Sequence, residues 1–557
     1  MILKDDIGRK PTGFEPPAAL GAALACTIFV LLGCAFLPLL GVQNDEALFS
    51  AGIYEPLAGL AYTRSVFGLR IPLMLMSYLG ALKTWLYAPL FHFCTPNVIS
   101  IRLPMLLAGA ASICLFFRLL ARIASPRAAL LGAALLATDS IYLLTCCFDW
   151  GPVALQHVLF LGALVLLVRF HQRGGTSALA GAFFLFGLAL WDKAVSAWIL
   201  SAVAAAGFIV FPREVRRAFT PGRAAAALAA LAFGALPLVL YNGSQRLETF
   251  RSNTTLAAAE IPEKAPLLRY TLEGRALFGY LNEETIEPRT PPAAASWTAR
   301  LSDWLSRRAG EPRRGLFFWA VAVSAALFPY IWWRRGWKTA RPLAFALVFL
   351  AVAWLQMAAT HGAGGSVHHV VLMWPVPHML VALALAAALP RASAALVMVV
   401  AASNLLVLNE YHTQIRRNGS SLTWTDAIYP LSSYFVKTPP AGEVFLLDWG
   451  MFDALRLLNR GSLKVRVGSD PVTAPAPGES ERAAVRLWAS GPANVFVAHT
   501  EGSEFYPGGA PKIQALAAEA GYRAQPLALI ADRHGRPRFQ VFRFLPAVDR
   551  AGAAQLY

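Results

Sequence analysis

Charge is what this sequence is short of. Only 15% of its 557 residues are charged, and the deficit is mostly acidic, with 32 Asp and Glu against 49 Lys and Arg. A soluble domain carries nearer a quarter charged residues. A chain that is 57% hydrophobic, with mean hydropathy +0.50, is therefore not an ordinary water-soluble globule, and lipid is its expected solvent. Cysteine is also scarce. Cys26, Cys34, Cys94, Cys114, Cys146 and Cys147 lie in or beside apolar runs without metal-ligand spacing, so a disulfide scaffold or zinc module is excluded and small buried hydrophobes are their expected role. No internal repeat stands out. The net charge of +17 does not imply nucleic acid, because the cations gather in short loops between apolar runs, as cytoplasmic loops do.

What the sequence does have is a succession of apolar runs near the ~20 residues a spanning helix needs. They cover 18–42, 102–122, 128–147, 152–170, 177–191, 194–211, 223–241, 315–333, 342–360, 367–389 and 391–409. The first follows Lys4, Arg9 and Lys10. It is too long for a signal peptide and has a poor cleavage site at Leu40-Gly41-Val42, so it reads as an uncleaved span. With the N-terminus inside, the inner loops hold Arg118, Arg122 and Arg127; Arg169 and Arg173; Arg213, Arg216 and Arg217; and Arg334, Arg335, Lys338 and Arg341. The short outer loops near 148–151, 192–193 and 361–366 hold only Lys193. This asymmetry sets the expected orientation, and the basic stretch 242–314 is long enough to escape the charge rule. Residues 71–93 are long enough to span, yet a span there would invert every later loop. Lys83, Pro72 and Pro89 also interrupt it, so an amphipathic or re-entrant helix at the outer interface is expected.

The fold class that follows is a polytopic α-helical membrane protein of about 11 transmembrane helices, with interfacial helices in a first outer loop over 43–100. Residues 1–410 form the membrane domain. Short strands at 443–448, 463–467, 494–498, 526–531 and 538–544 alternate with helical patterns at about 450–458, 479–489 and 510–520. That is a C-terminal soluble α/β domain over 411–557, outside the membrane by the parity of the spans and suited to lid a membrane site or bind a partner. Asp448 and Asp453 flank a turn there and read as caps.

This topology brings Asp45 and Glu46, Asp149 and Trp150, Asp192 and Lys193, and His361 with His368 and His369 to one outer face. Ionisable residues at membrane level are costly and mark functional sites by default. The most specific local signal is Asn44-Asp45-Glu46-Ala47-Leu48-Phe49 after the first span. An acid there can be an N-cap, a catalytic carboxylate tuned by desolvation, or both, since a cap fixes a side chain's position. Trp150 and Trp191 fit sugar stacking and an interfacial belt equally well, whereas Trp332, Trp333 and Trp337 at an inner span end fit the belt.

Four stretches in order carry a resemblance. They are the acid pair, Ser100-Ile101-Arg102-Leu103-Pro104, the run from Ser125-Pro126-Arg127 to Ala137-Thr138, and Gly187-Leu188-Ala189-Leu190-Trp191-Asp192-Lys193. They resemble the protein O-mannosyltransferase and lipid A aminoarabinose transferase branch of the GT-C glycosyltransferases over roughly residues 15–240. His368-His369-Val370-Val371-Leu372-Met373-Trp374-Pro375 is similar to that family's late span-opening motif. The resemblance implies sugar transfer at the extracytoplasmic face of a bacterial-type inner membrane, from a polyprenyl-phosphate-linked donor such as an undecaprenyl phosphate sugar. The acceptor would be a protein, lipid or glycan, and direct displacement would invert the anomeric centre. It implies Asp45 as general base, Asp149 as second acid and Lys193 at the donor phosphate, with Glu46 beside the base. Arg64, Arg70, His368 and His369 are further candidates for the phosphate. The chain departs from the family in Ala47-Leu48-Phe49, where an Arg/Thr-then-Tyr pattern is usual, and in Arg70-Ile71-Pro72, where a Lys-Pro is usual.

No cofactor is firmly implied and no metal ligand is assigned. A divalent metal stays open, with Glu46 or His361 as partners, although adjacent histidines on a helix diverge by about 100° and do not readily share one ion. Two other classes stand beside the enzyme. A transporter or flippase predicts ionisable groups buried mid-span and broken helices in paired halves, whereas the acids here are expected at span ends. A non-catalytic membrane subunit descended from such an enzyme is the third.

Overall fold

The computed structural model describes residues 16–57, 59–284 and 296–547. Lys4, Arg9 and Lys10, residues 285–295 of the long loop, and residues 548–557 lie outside the described residues. Helix α1 (Pro16–Phe36) leads into α2 (Asn44–Ala51), where the Gln43 side chain caps the first turn by accepting from the Asp45 and Glu46 N–H groups. A three-stranded antiparallel sheet follows, β1 (Tyr62–Val66), β2 (Leu69–Met76) and β3 (Leu79–Gly80), and then α3 (Leu82–Phe93).

The expectation of one interfacial or re-entrant helix over 71–93 is thereby corrected. Residues 71–76 are strand, and the helix that remains has 12 residues, too few to span. Pairing explains the strand. β2 lies between β1 and β3, and the indoles of Trp85 and Trp191 donate to the Pro72 and Leu73 carbonyls. Pro72 itself has no N–H to satisfy.

The helices α4 (Val98–Ile123), α5 (Pro126–Thr138), α6 (Ser140–Cys147), α7 (Val153–Arg173), α8 (Thr176–Asp192) and α9 (Ser196–Val210) come next. The short α10 (Pro212–Ala218) turns 110° from α9 and carries Arg213, Arg216 and Arg217; α11 (Pro221–Gly234) and α12 (Leu236–Ser244) follow. The long loop holds α13 (Glu248–Asn253), α14 (Ile261–Leu272) and α15 (Trp297–Ala309). The membrane part ends with α16 (Phe317–Ala326), α17 (Phe328–Ala358), α18 (Val367–Val370), α19 (Val376–Ala388) and α20 (Ser393–Asn418). Gly336, at φ 75°, breaks α17 between two apolar stretches.

Among the described residues five helices are long and apolar enough to cross a membrane, nine if each bent pair is one span, and α8 and α16 are shorter apolar helices. Together they fall on the segments read from hydropathy, and the protein is a polytopic α-helical membrane protein. Glycines let spans approach closely. A Cβ on Gly187 would meet the Leu231 carbonyl oxygen at 2.3 Å, and one on Gly234 the Phe184 carbonyl oxygen at 2.3 Å, so α8 and α11 cross at backbone distance. The cysteines are more varied than expected: Cys146 and Cys147 are buried, Cys34 and Cys94 exposed.

The acids are not confined to span ends. Asp139, at the 60° bend between α5 and α6, is buried and accepts from the Trp374 indole at 3.1 Å, with His378 Nε2 at 3.0 Å. This network joins the bend to the broken span of α18 and α19.

Helix α20 runs unbroken through the 410/411 boundary to Asn418. Beyond it come α21 (Ile428–Lys437), β4 (Val444–Leu446), α22 (Phe452–Leu458), β5 (Val465–Val467), α23 (Asp470–Thr473), α24 (Glu479–Ser490), β6 (Val495–His499), α25 (Gly509–Glu519), β7 (Tyr522–Ala531) and β8 (Pro537–Pro546). The sheet order is β5-β4-β6-β8-β7, with β5, β4 and β6 parallel and β8 and β7 antiparallel. This α/β region is bound to the membrane part by arginines. Arg456 donates to the Pro56 carbonyl, Arg533 donates to the Pro38 carbonyl, and Arg538 pairs with Glu283.

Candidate active site

The site is built where α2, α3, the turns after α6 and α8, and α22 meet. Gln43 fixes the first turn of α2, so the direction of Asp45 is set by a cap. Its neighbour Glu46 faces the opposite way and is 1% exposed. Both Glu46 oxygens accept from Arg102, at 2.7 and 2.8 Å, and the same guanidinium donates to the carbonyls of Leu37, Leu40 and Gly41. This is a bidentate pair with satisfied donors, the arrangement in which a buried ion pair is tolerable. Glu46 therefore anchors α2 to α4 and to the end of α1, with both of its oxygens engaged in that pair. Arg102 is the central residue of the Ser100–Pro104 stretch, which hydropathy alone treats as the start of a span.

Asp149 is equally engaged. Its Oδ2 accepts from Lys83 Nζ at 2.7 Å, and its Oδ1 accepts from the Val153 and Ala154 N–H groups at 2.6 and 3.1 Å, capping α7. With both oxygens used and 1% exposure, it holds α3 against α7. The second acid expected here is thus held in a buried ion pair. Sequence reasoning treated Lys83 only as an interruption; its partner lies 66 residues away, beyond local reach.

Lys193 follows α8 and donates to the Gly151 carbonyl at 2.9 Å, leaving two of its three protons uncommitted. Burial draws its ammonium down to about 7, against the pull of Asp192, Asp149 and Asp45. Asp45, half-buried, has its carboxyl raised by desolvation, opposed by hydrogen bonds from Gln43 and Asn44 and by the charge of Lys193. Asp45 and Lys193 thus form an unbonded acid–cation couple. Tyr78 and Tyr280 border it, for burial and then the Asp45 charge raise both phenols.

A second acid does face Asp45, and it comes from the α/β region. Asp453, at the start of α22, receives the Asn44 amide at 3.4 Å and gives its N–H to Asn44 Oδ1 at 3.0 Å. Burial pushes its carboxyl up to about 6, Arg456 at 2.9 Å opposes that, and the Asp45 charge adds to it. The sequence offered only the reading of a helix-start cap, because the partner lies 409 residues away.

His368 and His369 stand at the start of the broken span, rings 4.3 Å apart and tilted by 60°. A Cβ on residue 151 would meet the His368 ring at 2.6 Å, so Gly151 lets this histidine stand against the Lys193 turn. Ser366 bonds His368 Nδ1 at 2.7 Å, and His369 Nδ1 is buried without a partner. Trp150 packs among His368, Tyr280 and Trp424, whereas Trp191 joins the first-loop sheet to α8.

Arg64 and Arg70 do not join the cluster. Both are exposed on the β1–β2 hairpin, Arg64 on the Tyr62 hydroxyl at 2.6 Å and Arg70 3.8 Å from Glu55. His361 is tied to Glu260 at 2.6 Å. Among the described residues no group of three or more His, Cys, Asp and Glu could hold a metal ion.

Known proteins share this arrangement of helices. The solved structure of ArnT from Cupriavidus metallidurans bound to undecaprenyl phosphate matches with a TM-score of 0.55 at 13% identity, covering 94% of this chain and 97% of that one. The chain has the GT-C fold. The apo form of the same ArnT matches at TM-score 0.51 and 12% identity, with the same coverage. The oligosaccharyltransferase AglB from Archaeoglobus fulgidus, in complex with an inhibitory peptide and a dolichol-phosphate, gives 0.48 at 11% identity, covering 90% of this chain and 69% of that one. The model of the dolichyl-phosphate-mannose-protein mannosyltransferase family matches residues 67–241. This stretch of the GT-C fold contains Lys83, Arg102, Asp149 and Lys193. A search of the curated proteins gives no match.

Proposed function

We propose that the protein is a membrane glycosyltransferase that moves a sugar from a polyprenyl-phosphate carrier to an acceptor hydroxyl or amine at the extracytoplasmic face of a bacterial-type inner membrane. The observation that carries this reading is the Asp45–Lys193 couple: a carboxylate set by a cap, raised by burial, and opposed by a buried ammonium with protons to spare. The undecaprenyl phosphate bound in the ArnT structure and the family match over 67–241 support a lipid-phosphate donor.

In the reaction, Asp45 takes the proton of the acceptor group as its oxygen or nitrogen attacks the anomeric carbon. The bond from that carbon to the phosphate oxygen breaks, and the electron pair leaves with the polyprenyl phosphate. Lys193 meets the charge that gathers there, in a site where water is scarce and its field is strong. A phosphate leaving group needs no further acid, and attack from the face opposite to it inverts the anomeric centre. His368 and His369, beside Lys193, border the phosphate, and Asp453 lies on the acceptor side. Asp45→Asn should abolish transfer from labelled polyprenyl-phosphate sugar while leaving the melting temperature in detergent within a few degrees; retained turnover would sink the assignment.

One observation favours a transporter reading. Four helix pairs are bent by more than 40°, and Asp139 and His378 are buried within spans. The same assay separates the two, since a flippase moves the carrier across a bilayer without releasing sugar from it.

A further inference from the structure

Helix α15 presents its faces the wrong way round for a helix at a water surface. Its small residues look inward: Ala299, Ser302 and Ser306 are buried against α20. Ser302 Oγ lies 2.9 Å from Asn409 Oδ1, 3.0 Å from His412 Nδ1 and 2.9 Å from Thr413 Oγ1, and Ser306 donates to Glu410. The large apolar residues look outward. Trp297 is 69% exposed, and Leu301 and Trp304 are 52% exposed each. At about 100° per residue these three share one face, opposite the serines. A helix that hides hydroxyls and displays two indoles and a leucine is arranged for an apolar surrounding.

Its height fits that surrounding. The residues of α20 that receive α15 lie 16 to 20 positions along from Ser393, which at ~1.5 Å per residue is roughly 24–30 Å. A hydrocarbon core is ~30 Å thick, so α15 lies near the level where tails give way to headgroups. Charge then narrows the occupant. Arg300, Arg307, Arg308 and Arg314 are exposed, and none has a carboxylate partner among the described residues. The neighbouring α16 continues the apolar surface, with Trp319 58% and Val323 52% exposed.

We infer that α15 is an interfacial helix that binds the anionic headgroup layer on the site face, with Trp297, Leu301 and Trp304 seated among the acyl chains and its arginines on lipid phosphates. Indoles favour this boundary, and each cation near an anionic surface adds attraction that salt screens. The inference is independent of the sugar-transfer reading.

The test uses the full chain in nanodiscs of brominated phosphatidylglycerol or brominated phosphatidylcholine, reading tryptophan emission. The W297F/W304F variant should lose part of the lipid-quenched wild-type emission, the rest coming from exposed span indoles such as Trp319 and Trp333, and the part lost should be larger in phosphatidylglycerol at low salt. R300Q/R307Q/R308Q/R314Q should remove the difference between the two lipids. Equal quenching of wild type and W297F/W304F would show the face in water or under a protein segment and overturn the inference. An equal fraction in both lipids would overturn its anionic part. Amide exchange over 297–309 in the wild type needs no variant: slower exchange in phosphatidylglycerol is expected, and no change between lipids counts against the inference.

Discussion

Burial raises the carboxyl of Asp45 and draws the ammonium of Lys193 down to about 7, so the range of pH in which the two forms the proposed chemistry requires coexist is pressed from both sides. Asp45 acts as a base only when ionised, and transfer should rise with pH through its elevated pKa. Lys193 holds a phosphate only when protonated, and transfer should fall as pH passes about 7. A bell-shaped profile of kcat/KM is the expected outcome. In Lys193→Arg the guanidinium stays charged at every working pH. The falling limb should move to higher pH in that variant while the rising limb stays in place. A profile whose falling limb ignores this substitution would remove Lys193 from the donor site.

At the scale of elements, buried ion pairs hold the site together: Glu46–Arg102 joins α2 to α4, and Lys83–Asp149 joins α3 to the start of α7. Removing one member strands the other. Glu46→Gln should cost about 3–5 kcal/mol, the penalty typical of an uncompensated buried charge. Thermal unfolding in detergent reads it, and the double variant E46M/R102M should not restore stability fully, because the Leu37, Leu40 and Gly41 carbonyls then lose their donor. These pairs also mark where sequence legibility ends. Hydropathy located the apolar segments because each needs only its own composition to enter lipid. It could not distinguish strand from helix over 71–76, where the same apolar residues suit both and the choice rests on pairing with Tyr62–Val66 and Leu79–Gly80. The acid pair was legible as a candidate, but the separate partners of its two members were not. Asp45 and Glu46 differ only in which partner each meets, and Arg102 lies 56 residues on.

For the whole molecule, the α/β region reaches the candidate site through Asp453, which bonds Asn44. Its pKa is about 6 in the folded protein against an ordinary value of 3.8. The folded state therefore binds more protons between those values, and the stability this group contributes declines as pH rises from about 4 to 6. The seating of α22 on α2 should be tightest in mild acid and loosen across that window. Limited proteolysis between α20 and β4 would report it, and Asp453→Asn should flatten the dependence. A wild-type seating that tightens with pH would contradict the assignment. The C-terminal sheet was legible from its alternating strands and helices, but the contribution of Asp453 was not, because its partner Asn44 begins the first loop.

The first-loop sheet is finished by residues far downstream. Leu79 pairs with Lys193, the Ala194 N–H donates to the Tyr78 carbonyl, and Gly80 lies so near the Trp191 carbonyl that a Cβ would sit 2.0 Å from it. During synthesis, then, the loop after α1 is made long before the strand end that locks it has left the ribosome. Asp45 waits without its cationic counterpart until the fifth apolar segment is inserted, and without Asp453 until most of the chain is made. On the proposed reading the nascent protein is inert by order of assembly, and competence comes with its last third.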